Sequence, residues 1–134
     1  MNFTMKEFER SDTARMYGID NSIPGPALQN ICRLIKFVLQ PAREQLGRPI
    51  RVNSGYRCPI LNQLVKGAPH SQHTTGQAAD ITSDDNSRLL QILQQLPFDQ
   101  LIAYRDRRCH TRILWIHVSY KEDGNAGKYF SIFQ

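Results

Sequence analysis

The stretch Ser71-Gln72-His73-Thr74-Thr75-Gly76-Gln77-Ala78-Ala79-Asp80-Ile81 carries the strongest structural signal in this 134-residue sequence. Its first half belongs to a segment, 67–76, rich in Gly, Pro, Ser and Thr, which is typical of a loop. Residues 78–81 read as a strand, so His73 lies in the loop and Asp80 on the strand that follows it. Such a turn, with Gly76 between the two, can bring both side chains toward one ion.

A second apolar and β-branched run, 113–120, predicts another strand and carries His117. Alternation puts His117 on one face with Trp115 and Ser119, and puts Ile116 and Val118 on the other, toward the core. Neighbouring strands lie about 4.8 Å apart, so ligands from two strands can converge at a sheet edge.

The three side chains together predict a zinc site made by His73, Asp80 and His117. Two imidazoles and one carboxylate leave the fourth tetrahedral position open for water, as in catalytic zinc sites. Isolated histidines are more often surface or core residues, so the spacing needs support from other motifs.

The remaining pattern predicts an α+β domain with a small antiparallel sheet flanked by helices. Helices are expected over 27–46, where Pro41 should kink or divide the pattern, over 61–65, and over 89–96 behind capping residues 84–87, with Ser87 among the cap candidates. Strands are expected at 50–53, 78–81, 101–104 and 113–120, with a weaker candidate at 128–133.

Composition is that of an ordinary globular protein, 40% apolar and 22% charged, which favours one domain over residues 1–134. No apolar run approaches the roughly 20 residues that span a bilayer, so we expect no membrane insertion. The first residues lack a secretory signal pattern, and three cysteines favour free thiols in a reducing compartment. We expect cytoplasmic synthesis.

The chain has a net charge of +5, much of it from Arg105, Arg107, Arg108 and Arg112. Such a balance could serve nucleic-acid binding or attraction to an anionic polymer such as a bacterial cell wall. Most basic clusters are solvated surface, so we expect no nucleic-acid partner. A metal-independent nucleic-acid binder is kept as an alternative, which would lose affinity steeply with salt.

Four motifs in order resemble a known family. Residues 71–81 resemble the S-x-H-x-x-G-x-A-x-D motif of the zinc D-alanyl-D-alanine carboxypeptidase and L-alanyl-D-glutamate endopeptidase family, of the peptidase M15 type. Residues 115–120 resemble its third-ligand strand, 54–59 with Asn62 resemble a substrate-site motif, and 98–102 resemble a fourth. Residues 3–21 are also similar to family members, among which the small phage-endolysin-like branch fits best.

The resemblance implies a Hedgehog/DD-peptidase-like fold and zinc-assisted hydrolysis of peptide bonds in peptidoglycan. It implies that Arg57 binds a substrate carboxylate or polarises the carbonyl. It also places Ser71 and Gln72 at the substrate site, where they could instead orient His73 or shape the turn. Stem peptides are the expected partners, and a monomer the expected state. The resemblance also implies that the protein acts on the cell wall after release or export.

One departure concerns the general base. Many family members carry Glu or Asp three positions before the last histidine, where this chain has Leu114, and closer relatives carry a glutamate where this chain has Tyr104. A tyrosine with an ordinary pKa near 10 is a poor base at neutral pH but can donate to a developing oxyanion. Asp106 or His110 could substitute as base. A zinc-binding recognition module without turnover is therefore the second functional hypothesis.

Overall fold

The computed structural model describes residues 2–134 and has the expected α+β class. The helices are α1 (Met5–Glu9), α2 (Asp12–Met16), α3 (Gly25–Leu34), α4 (Gln40–Leu46), α5 (Pro59–Leu64) and α6 (Asn86–Leu93). The strands are β1 (Arg51–Ser54), β2 (Ala78–Thr82), β3 (Gln100–Arg105), β4 (Ile113–Ser119) and β5 (Lys128–Phe133). In this part of the chain no helix is long and apolar enough to cross a membrane.

The five strands form one sheet in the order β1-β2-β4-β3-β5. The first four pair antiparallel, as expected, but β5 runs parallel to β3. The reason is geometric: β3 and β4 are antiparallel, so the last residue of β4 lies beside the first residue of β3. Residues 120–127 pass the start of β3, and Gly127 N–H and Lys128 N–H donate to the carbonyls of Phe98 and Asp99. The chain must then run in the direction of β3.

A helical stretch from Gly25 to Leu46 covers the predicted first helix, with a π-helical turn at Ile35–Leu39 joining α3 to α4. Proline inside a helix lacks an N–H and clashes with the carbonyl one turn earlier. The π turn lies immediately before Pro41, and Gln40 N–H donates to Ile35 O, five residues back. The chain thus accommodates Pro41 by a local widening of the helix, which relieves that clash.

The core lies between the helices and one face of the sheet. Its largest fully buried side chains include Ile31, Leu34, Leu39, Ile81, Leu89, Leu93, Leu101 and Ile116. The cap of α6 is Asp85, whose carboxylate accepts from Arg88 N–H at 3.1 Å, rather than Ser87. Because Ile81 and Ile116 point into the core, their neighbours Asp80 and His117 point to the opposite face.

The N-terminal segment holds the loop that carries Arg57. Phe8, fully buried, accepts at its carbonyl from Tyr56 N–H at 2.8 Å. Asn21, also buried, donates from Nδ2 to Tyr56 O at 3.0 Å and accepts at Oδ1 from Cys58 N–H at 2.8 Å. Residues on both sides of Arg57 are therefore fixed by contacts far away in sequence.

Candidate metal centre

The three predicted zinc ligands lie together on the face of the sheet opposite the core. Asp80 of β2 pairs directly with His117 of β4, and facing residues of an antiparallel pair share a face. His73 comes from the short 3-10 turn (Gln72–Thr75) that precedes β2. One ligand atom from each residue lies within 4.8 Å of the others. Asp80 and His117 lie on β2 and β4, two interior strands of the sheet, and not at the sheet edge that the sequence pattern predicts.

The backbone of Gly55 orients His73. The Nδ1 of His73 lies 2.7 Å from Gly55 O, which can only accept, so Nδ1 carries the proton. The other nitrogen, Nε2, is thus the one left to bind a metal, and it lies 3.4 Å from Asp80 Oδ1. Such a hydrogen bond to a backbone carbonyl is the usual way to fix a metal-binding imidazole. His73 is only 3% exposed, so its ring has little freedom to turn.

Asp80 is the shared acid of the cluster, with His117 Nδ1 at 2.9 Å from its Oδ1. Burial raises the pKa of the Asp80 carboxyl, but the hydrogen bonds and charges of His117 and His73 outweigh burial and hold the pKa well below its usual range. The carboxylate is therefore available as a metal ligand across the neutral range.

The donor set fits zinc. Ligands that share a tetrahedral zinc at about 2.0–2.1 Å stand roughly 3.3 Å apart. The separation between His73 Nε2 and Asp80 Oδ1 is 3.4 Å. Two nitrogen donors and one oxygen donor are typical of a zinc site that keeps a position for water.

Arg57 lies beside the cluster and is bound on three sides. Its Nε donates to Ser54 Oγ at 3.3 Å, its Nη1 donates to Asn62 Oδ1 at 3.0 Å, and its Nη2 lies 3.6 Å from Asp80 Oδ2. Burial lowers its pKa, while Asp80 and Tyr104 act in the opposite direction. The guanidinium stays charged and retains N–H groups that can bind a substrate oxygen.

Gly67 is required by the placement of Arg57. A Cβ at Gly67 would collide with Asn62 Oδ1 and would lie 2.7 Å from Arg57 Nη1. The loop before the metal-binding turn thus packs directly on the Arg57–Asn62 hydrogen bond. Only glycine allows this close approach.

A cleft of about 870 Å³ opens over the cluster and Arg57. Its lining brings together most of the residues to which the sequence assigns a role, namely Arg57, Ser71, Gln72, His73, Asp80, Tyr104 and His117. Such a volume is in the ordinary range for small-ligand sites.

Ser71 and Gln72 both line this cleft. Ser71 caps the 3-10 turn, since its Oγ accepts from His73 N–H at 3.2 Å. Its hydroxyl thereby supports the first ligand and keeps its own proton for donation. Gln72 donates from Nε2 to Asp99 Oδ2 at 2.9 Å.

Tyr104 lies on the cleft wall and stacks on Trp115, with ring centroids 4.4 Å apart. Burial and the charge of Asp80 raise its pKa, and Arg57 only partly offsets them. The phenol is therefore protonated at neutral pH. It can donate a hydrogen bond in the cleft but is a poor proton acceptor.

The two proposed substitute bases lie outside the cleft wall. Asp106 Oδ1 accepts from the backbone N–H groups of Arg108 and Cys109, at 2.7 and 3.3 Å. The His110 ring packs on Phe133 with centroids 4.6 Å apart. Neither residue lines the cleft, and neither does Leu114. These contacts lie within and beside the β3–β4 loop, residues 106–112, and hold both side chains outside the cleft lining.

Asp99 and His70 also line the cleft, and the sequence pattern alone assigns neither of them a role there. Asp99, which belongs to the motif at 98–102, is 6% exposed and lies beside Gln72. His70, in the loop segment 67–76, lines the cleft without joining the ligand cluster. An aspartate directly before an apolar strand was the available sequence signal for Asp99, whereas nothing local marks His70.

A family model described as Peptidase M15 matches residues 1–119. The matched region includes all the proposed ligands and Arg57, and it ends before β5. Among curated proteins none matches the chain significantly.

Proposed function

Because the chain belongs to the peptidase M15 family, we propose that it is a zinc-dependent peptidase that cleaves peptide bonds of bacterial cell-wall peptidoglycan. The observation that supports this most is the convergence of His73, Asp80 and His117 within 4.8 Å at the floor of a cleft that also holds Arg57. The bond cleaved would be of the D-alanyl-D-alanine carboxypeptidase or the L-alanyl-D-glutamate endopeptidase type.

His73 through Nε2, Asp80 through a carboxylate oxygen and His117 through Nδ1 would hold the zinc. Bound zinc supplies Lewis acidity toward a carbonyl oxygen and lowers the pKa of a bound water toward about 7. The protein orients the donors beforehand, because Gly55 O fixes the His73 ring at 2.7 Å. Such support of a ligand is worth roughly 10- to 100-fold in metal affinity.

Arg57 and Tyr104 would act on the substrate. Arg57 keeps free N–H groups beside the cluster, suited to a carboxylate or to the oxygen of the scissile carbonyl. Tyr104 retains its proton, because burial and Asp80 raise its pKa, and would donate to the same oxygen as negative charge develops. Both groups thus stabilise charge and do not accept a proton.

Proton transfer would fall to His70 in this arrangement. It is the cleft-lining imidazole outside the ligand cluster among the described residues. A neutral imidazole can take a proton from water and return it to a leaving amine. His70→Ala should lower kcat by 10²- to 10⁴-fold while leaving stoichiometric zinc, and unchanged kcat would exclude this role.

The test is release of new amino groups from purified peptidoglycan by the zinc-loaded protein. We expect release to disappear on chelation and in His73→Ala, and to persist in His110→Ala, a matched histidine removal outside the cleft. Release that survives both chelation and His73→Ala would overturn the zinc mechanism. Mass spectrometry of the fragments separates the carboxypeptidase from the endopeptidase type.

A zinc-binding recognition module without turnover is the second candidate. It is favoured by Leu114 and Tyr104, which stand at the two positions where the resemblance to the family leads us to expect an acid. This candidate predicts binding of stem peptides that depends on His73 and zinc, with no amino groups released over long incubation.

A further inference from the structure

The side-chain amide of Gln72 has a defined orientation. Its nitrogen Nε2 lies 2.9 Å from Asp99 Oδ2, and carboxylate oxygens accept hydrogen bonds. The reverse orientation would place two acceptors against each other. The amide oxygen, Oε1, is therefore directed away from Asp99, and no described residue donates to it. Since Gln72 lines the cleft, that acceptor faces the space where a substrate would lie.

Asp99 itself is occupied by protein donors. Oδ1 accepts from Ala126 N–H at 2.9 Å and lies 3.7 Å from Lys121 Nζ, while Oδ2 accepts from Gln72. Its own backbone is held too, because Asp99 N–H donates to Ser119 O at 2.8 Å. With 6% exposure, Asp99 is a fixed support and not a surface that a ligand reaches first.

The backbone of Gln72 is also fixed. Its carbonyl accepts from Gln77 N–H at 2.9 Å and from Thr75 Oγ1 at 3.1 Å, inside the turn that carries His73. The acceptor on the cleft wall is thus anchored one residue from a proposed metal ligand. Arg57, whose Nη2 lies 3.6 Å from Asp80 Oδ2, offers only donors to the same cleft.

We propose that Gln72 Oε1 is a substrate-binding acceptor for a peptide N–H, and that Asp99 is the positioning residue that sets this orientation. The inference rests on the proposed peptidase function and adds the orientation in which the peptide lies in the cleft. A bound peptide places a carbonyl or carboxylate oxygen at Arg57 and an N–H at Gln72. A ligand with an oxygen in place of that N–H meets acceptor against acceptor.

The arrangement around Asp99 predicts the effect of Asp99→Asn in detail. Ala126 N–H and Lys121 Nζ both require an acceptor at the Oδ1 position, so the asparagine must turn its NH₂ group toward Gln72. Gln72 then turns over to offer Oε1 to that NH₂ group. The cleft now presents a donor in place of an acceptor, although the shape of the site is nearly unchanged.

The experiment uses two short peptides, one ending in D-alanyl-D-alanine and one containing L-alanyl-D-glutamate, with analogues in which each N–H in turn is replaced by an ester oxygen. Dissociation constants for the zinc-loaded protein are measured by NMR titration before turnover is appreciable. We expect wild type to bind one ester analogue about tenfold more weakly than its parent, as for one lost hydrogen bond together with a repelled acceptor.

The variants then test the assignment. The tenfold preference for the parent peptide over the ester analogue should vanish in Gln72→Met and should vanish or reverse in Asp99→Asn. It should remain in Lys121→Met, the control, which removes a different contact of Asp99. The inference would be overturned if wild type, Gln72→Met and Asp99→Asn all prefer the parent peptide over the ester analogue by the same factor. It would also be overturned if wild type binds every ester analogue as tightly as its parent peptide. Failure of wild type to bind either parent peptide would overturn the proposed substrate class and this inference together.

A second readout is independent of ligands. The Gln72 side-chain NH₂ should give one slowly exchanging proton signal in wild type, because that proton is bonded to Asp99. The signal should shift and exchange faster in Asp99→Asn but not in Lys121→Met. An unaltered Gln72 signal in Asp99→Asn would contradict the proposed orientation, whatever the peptides do.

Discussion

His73 and Gly55 are joined by a hydrogen bond between Nδ1 and a backbone carbonyl, 2.7 Å long, that connects the metal-binding turn to the loop after β1. It assigns the metal to Nε2 of His73, whereas His117 turns Nδ1 toward Asp80 at 2.9 Å. The two histidines should therefore bind zinc through different nitrogens. Cadmium-substituted protein should show metal–nitrogen coupling to Nε2 of His73 and to Nδ1 of His117. Coupling through the same nitrogen in both would refute the arrangement.

Zinc removal should destabilise the folded chain. A ligand that binds only the native state stabilises it by roughly 4 kcal/mol at a thousandfold excess over Kd, so chelation should lower Tm by several degrees. Thermal unfolding with and without chelator measures this. His110→Ala should keep the full difference, and His73→Ala should show almost none. A Tm that does not respond to zinc in wild type would argue against a metal site formed by the native fold.

Gly67→Ala should weaken substrate binding more than zinc binding. The added Cβ collides with Asn62 Oδ1 and approaches Arg57 Nη1 to 2.7 Å, so the Arg57–Asn62 hydrogen bond must break or the loop must move, at about 1–3 kcal/mol. Gly25→Ala is the matched control, since a Cβ there meets nothing within 4 Å. Peptide affinity and zinc stoichiometry are measured for both. Equal peptide affinity in the two variants would contradict this role of Gly67.

Tyr104→Phe should lower kcat by about 10²- to 10³-fold, the cost of removing one donor to a developing oxyanion, with zinc binding unchanged. The ring stays stacked on Trp115, so packing is preserved. The measurements are initial rates on a stem peptide and the zinc stoichiometry of the variant. A kcat within twofold of wild type would show that the Tyr104 hydroxyl takes no part in catalysis.

Tyr104 should also make the stability of the metal-free protein depend on pH in the alkaline range. Burial and Asp80 raise the pKa of Tyr104 above its unfolded value near 10, so the folded state keeps a proton that the unfolded chain loses. The stability contribution is therefore complete below about pH 10 and is lost as the pH rises through the folded pKa. Denaturant unfolding should show a shallower alkaline decline in Tyr104→Phe. An identical decline in the two proteins would contradict the raised pKa.

Much of the metal centre could be predicted from sequence because its ligands lie in short local patterns. His73 and Asp80 belong to one turn-and-strand segment, and His117 lies on a strongly apolar strand whose alternation sets its face. The α+β class followed from helix and strand periodicities of the same local kind.

The structural features that the sequence pattern does not predict depend mostly on contacts between residues far apart in the chain. The parallel direction of β5 follows from where β4 ends in space, and the contact between Gln72 and Asp99 joins residues 27 positions apart. The widened helical turn before Pro41 reflects a choice between two ways of relieving one clash, which periodicity does not distinguish. The positions of Asp106 and His110 depend on the conformation of the loop 106–112, which no sequence periodicity specifies.

The hydrogen bonds that Phe8 and Asn21 make to Tyr56 and Cys58 tie the start of the chain to a loop that serves both the metal and the substrate. That loop carries Arg57, and its Gly55 carbonyl orients His73. Phe3 and Phe8 also belong to the core, so a deletion of residues 2–21 would remove core packing together with the support of the loop. Truncation at the start of the chain should therefore impair metal retention and peptide recognition together, which makes this segment a part of the site although it supplies no group to it.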